Sequence, residues 1–112
     1  MARTHEELDL RSLALHSRVA ERLRVQPALL QIARDNLERW RSQGDEDDPA
    51  AAAIREWQEI LDSLSIDELC KYLVRRDERA TRLRQSSPFA GILAPAEVWE
   101  VKRRFNGEKA PA

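Results

Sequence analysis

Cysteine is all but missing from this chain: Cys70 is the single one among 112 residues, so no disulfide can form within it and stability has to come from packing. Glycine is nearly as scarce, at three residues, and none falls in a phosphate-cradling loop or a Gly-x-Ser-x-Gly nucleophile turn. Cys-x2-Cys and His-Glu-x2-His spacings are absent as well, so no cofactor and no metal is expected. No stretch reaches the 18 or so consecutive apolar residues of a membrane span. The beginning, Met1 to Glu7, carries acids where a signal peptide would have a basic region and an apolar run, which implies a cytoplasmic protein. Aromatic residues make up 5%, β-branched residues are few, and no window alternates as a half-buried strand does. What remains, 42% apolar and 35% charged residues, suits one helical domain.

Helical periodicity and capping residues divide the chain. Thr4 with Glu7 forms a capping box, predicting a helix from about residue 5 to Arg24 with Leu8, Leu15, Val19 and Leu23 on its inner face. Pro27 suits the first position of a second helix, with Leu30, Ala33, Leu37 and Trp40 inward, and Gly44 with the acidic run 45–48 closes it. Asp48 and Pro49 open a third helix over Ala53, Ile54, Trp57, Ile60, Leu61 and Leu64. Ser65 and Glu68 make a second capping box, followed by Leu69, Cys70, Leu73 and Val74 as a buried side. Asp77 either caps a further helix or lies in a continuing one, and Pro88 requires helix to stop by Ser87. Pro95 starts the last helix, with Val98, Trp99, Val101 and Phe105 for burial. The expectation is an all-α, compact bundle of five to six short antiparallel helices over residues 1–105, with 106–112 as a flexible tail and the three tryptophans as core anchors.

Charge is unevenly spread. From Asp35 to Glu68 there are eleven acids against three arginines, whereas Leu69 to Phe105 holds nine basic residues against four acids. Either the two segments pack against one another, or the arginine-rich one meets a partner, an acidic protein surface or, less favoured, nucleic acid. A net charge of −1 and the lack of a helix-turn-helix pattern argue against a dedicated DNA binder.

On the first helix His5, Asp9, Ser12 and His16 fall on one ridge, but eleven residues separate the histidines, about 16 Å along a helix, too far to share an ion. That face fits a homodimer seam as well as a buried core. Arg11-Ser12-Leu13-Ala14-Leu15-His16 resembles the Arg-x4-6-His motif of HEPN-type ribonucleases, which are helical bundles. The resemblance implies metal-independent RNA cleavage, with His16 as acid or base and Arg11 stabilising phosphate charge. In this chain the motif lies in the first helix rather than late in the bundle.

The segment Arg82 to Leu93 joins an arginine-rich helix end to a Ser-Pro turn and then to Phe89, Ile92 and Leu93. The apolar residues either close the end of the bundle, with Gly91 supplying an unusual backbone angle, or form a docking element. In the docking version Arg79, Arg82, Arg84, Ser86, Ser87 and Phe89 bind a partner, with Phe89 as anchor. Arg82-Leu-Arg-Gln-Ser-Ser-Pro-Phe-Ala-Gly-Ile-Leu93, Pro95-Ala-Glu-Val-Trp99 and Arg103-Arg-Phe105 resemble a group of small helical bacterial proteins associated with two-gene toxin–antitoxin-like loci; Ala94 departs from the Ser or Thr expected before the last helix. That resemblance implies a non-enzymatic protein-binding module, the antitoxin or accessory partner of a toxin enzyme, with the HEPN-like ribonuclease of Arg11 and His16 as the alternative.

Overall fold

The computed structural model describes residues 5–45 and 47–105, with side chains from Glu7 onward. The Thr4 cap, the side chain of His5 and the expected tail at 106–112 lie outside the described residues. The fold is all-α: α1 (His5–Val25), a 3-10 turn (Pro27–Leu29), α2 (Leu30–Gln43), α3 (Pro49–Ser63), α4 (Ile66–Leu73), α5 (Glu78–Arg84) and α6 (Pro95–Phe105), with no strand among the described residues.

Side-chain caps set most of the helix starts. Asp48 accepts from the Ala50 N–H at 2.9 Å and Asp77 from the Ala80 N–H at 2.8 Å, each satisfying an amide that has no partner inside its helix. The Asp77 cap decides that α5 is a helix of its own. At α4 the capping box is complete: Ser65 Oγ accepts from the Glu68 N–H at 3.1 Å while Glu68 accepts from the Ser65 N–H at 3.0 Å. Pro27 stands where expected but opens a 3-10 turn, so α-helical bonding begins only at Leu30; Gln26 provides no side-chain cap there. Gly44 ends α2, and a Cβ on it would lie 3.2 Å from the Trp40 carbonyl.

One core joins these elements. α1 packs against α4 and α6, and α2 against α3. Trp57, only 1% exposed, sits in the middle, donating its indole N–H to the Leu83 carbonyl at 3.1 Å and meeting the rings of Phe89 and Tyr72 edge-on. Ion pairs between elements surround it: Arg22 with Glu97, Arg24 with Asp67, and Arg34 with Asp62. Each is partly solvent-exposed, so each adds little to stability beyond fixing helix positions.

Three apolar expectations are corrected. Trp99 is 49% exposed and anchors nothing in the core, because Val101, two positions on, takes the inward side of α6. Leu8 is 37% exposed, on the part of α1 that lines an open groove, and Val74, the residue that ends α4, is exposed too. The contrast between tryptophans is measurable. Trp57→Ala should lower the unfolding free energy by about 3–5 kcal/mol in urea titrations, and Trp99→Ala by less than about 1 kcal/mol. Equal losses would contradict this assignment of the core.

Candidate functional groove

The segment after α5 returns across the bundle and is held by two polar residues from other helices. Asn36 of α2 donates to the Pro88 carbonyl at 2.8 Å and to the Ala90 carbonyl at 3.0 Å. His16 of α1 holds Ser87. Its Nδ1 lies 2.7 Å from the Ser12 carbonyl, which can only accept, so Nδ1 carries the proton and Nε2 is bare. Ser87 Oγ, 2.8 Å from Nε2, therefore donates to the ring, and in turn accepts from the Phe89 N–H at 3.3 Å. Gly91 turns the chain at φ 98°, a conformation other L-residues seldom adopt. The result drives Phe89 into the core, edge-on to both His16 and Trp57.

Burial decides the electrostatics of His16. The residue is 5% exposed, and desolvation lowers its pKa from 6.5 to about 4, with the Arg84 charge pushing the same way and the bond to Ser12 opposing. The imidazole is neutral at pH 7 and already satisfied at both nitrogens. Protonation would place a cation in a buried site beside another cation.

Arg84 comes from α5 and is also 5% exposed. It donates to the Leu73 and Arg75 carbonyls at the end of α4 and to Thr81 Oγ1, while its Nε has no hydrogen-bond partner. It thus closes the carbonyl end of α4, where the helix dipole favours a cation. Burial lowers its pKa, with Asp9 and Asp77 acting in the opposite sense at longer range.

The six residues predicted for docking are dispersed by this arrangement. Phe89 is 3% exposed and Arg84 is buried, so neither can be a surface anchor; the apolar run needs the core, and the guanidinium is committed to backbone carbonyls. Arg79 and Arg82 are exposed but share Glu56 of α3, whose carboxyl is held below its ordinary pKa, first by Arg82 and also by Arg79. That is the acidic middle packing against the basic third. Ser87 is half-buried against His16, and Ser86 is exposed without a place in the network. Cys70 is buried, donates to the Ala20 carbonyl, and has its pKa raised by burial, as suits an inert core thiol.

Arg11 and His16, in contrast, are brought together. Both line a groove of about 630 Å3 between the N-terminal half of α1, the 85–93 segment and α6. Leu8, Leu15, Leu93 and Val98 give it apolar walls, and Asp9, Arg84 and Lys102 add charge. Lys102 and Val98 are one helical turn apart on α6, a pairing that sequence periodicity could have shown only if the partner of that face were known. Among the described residues no group of three or more His, Cys, Asp or Glu side chains could hold a metal ion, and no helix is long and apolar enough to cross a membrane. No protein-family model, curated protein or solved structure matches the chain.

The neutral, buried His16 has a pH consequence. Its folded pKa lies below the unfolded value of about 6.5, so its share of stability is complete above pH 6.5 and is lost as pH falls toward 4. Between pH 7 and pH 5 the wild-type protein should lose about 2 kcal/mol from this residue, and His16→Gln, though weaker at pH 7, should lose far less over that interval. Urea midpoints at the two pH values test this; an unchanged pH dependence in His16→Gln would contradict it.

Proposed function

We propose that this chain is a non-enzymatic protein-binding module, the antitoxin or accessory half of a toxin–antitoxin-like pair, and that its partner docks in the groove between α1, 85–93 and α6. The observation that carries the docking site is the groove itself, an apolar-walled cleft that the described residues leave uncovered, with Leu8 exposed at its edge. A groove between helices with aliphatic walls suits an apolar helix face of a partner. The choice of a toxin enzyme as partner rests on the resemblance carried by residues 82–93, 95–99 and 103–105.

The ribonuclease reading has one favourable observation, that Arg11 and His16 line the same groove. Its weakness is chemical. An acid must carry a proton to give, and a base must be able to gain one; a pKa of about 4 leaves His16 unprotonated at neutral pH and a poor base, with Ser87 already on Nε2. The geometry supports a positioning role for His16 instead.

Capture from the native host tests the docking site. The wild-type chain should retain a partner that Leu8→Asp loses by about tenfold or more in affinity, with unchanged circular dichroism. Arg79→Ala with Arg82→Ala should leave capture intact. The reverse pattern would place the interface on the Glu56 side of the molecule and contradict the groove.

A further inference from the structure

The charges around the groove do not balance. Among the described residues Arg11, Arg84 and Lys102 line it against a single acid, Asp9, which accepts from Gln85 at 3.4 Å. Away from the groove Arg22, Arg24, Arg34, Arg79 and Arg82 have carboxylate partners, while Arg18, Arg39, Arg55 and Arg76 have no ion pair among the described residues. Neither Arg11 nor Lys102 has an ion-pair partner among the described residues. Arg84 is the more telling case. A buried guanidinium normally lies against a carboxylate, because removing its hydration is costly. Here backbone carbonyls and a threonine hydroxyl take part of its hydrogen-bonding capacity, and among the described residues no carboxylate lies within ion-pair distance and Nε has no partner. The neighbouring imidazole is neutral and supplies no counter-charge either.

We infer that the groove selects its occupant by charge: an apolar segment of a partner protein that carries a carboxylate, seated between Arg11 and Lys102 with Arg84 behind. This rests on the docking site proposed above and adds the chemistry of what enters it. An acidic side chain on an otherwise apolar helix face places one negative charge where the groove holds three cations and one acid, while its apolar neighbours cover Leu8, Leu15 and Val98. An apolar segment bearing a lysine would meet an uncompensated cluster of like charge and is excluded by it.

Two fluorescent probes of similar aromatic body separate charge selection from apolar burial: 1-anilinonaphthalene-8-sulfonate, an anion, and N-phenyl-1-naphthylamine, which is neutral. The wild-type protein at pH 7 and low salt should bind one equivalent of each, the anion about tenfold more tightly. Arg11→Gln with Lys102→Gln should remove that preference and leave the neutral probe unchanged. Leu8→Asp, at an exposed position that does not disturb the core, should weaken both probes. Equal affinities in the wild type, or a preference that survives the double substitution, would overturn charge selection while leaving the groove as a binding site. Failure of both probes to bind, or binding indifferent to Leu8→Asp, would overturn the groove itself.

Discussion

The contact on which the rest of the structure depends is the pair of hydrogen bonds made by one neutral imidazole. His16 gives its Nδ1 proton to the Ser12 carbonyl of its own helix and receives the Ser87 hydroxyl on Nε2, tying α1 to a segment 71 residues later. The Ser87 bond needs a ring that is uncharged and carries its proton on Nδ1; the Ser12 bond needs only the Nδ1 proton. Burial enforces the first condition and the backbone carbonyl the second. With Ser87 fixed, Pro88 and Phe89 enter the core, and Phe89 becomes the edge-on neighbour of Trp57. The same segment then forms one wall of the groove, so core packing and the proposed docking site share a single fastening.

Arg84 makes a second link between stability and binding. Its donors close the carbonyl end of α4, yet its charge has no carboxylate at close range among the described residues and lines the groove. A buried cation without an ion-pair partner is costly, and backbone carbonyls offset only part of that cost. An arriving carboxylate would offset more, so the feature that is awkward for the isolated chain is the one that gives an acidic occupant an advantage.

Local features were legible in the sequence because their physics is local. Asp48, Ser65 with Glu68, and Asp77 announce helix starts within three residues of the amides they satisfy, and the structure shows each bond. Gly91 could be read for the same reason. Long-range polar contacts could not. His16 stood out as a polar residue inside an apolar arc, but nothing in the spacing points to Ser87, and Asn36 reaches carbonyls 52 and 54 residues away. Arg82 and Arg84 read alike as surface cations. Only the packed fold separates them, sending one to the Glu56 carboxylate and the other beneath α4. Trp99 failed as a core anchor because helical spacing alone leaves two neighbouring apolar positions to choose between, and Val101 took the inward one.

The state of the His16 ring is open to direct observation. Nitrogen-15 NMR of the imidazole across a pH titration reports both tautomer and protonation. The predicted result is a neutral ring protonated on Nδ1 that persists at pH 5 and titrates near 4. A ring that titrates near 6.5, or that carries its neutral-state proton on Nε2, would contradict the fastening of the 85–93 segment to α1 and with it the origin of the groove.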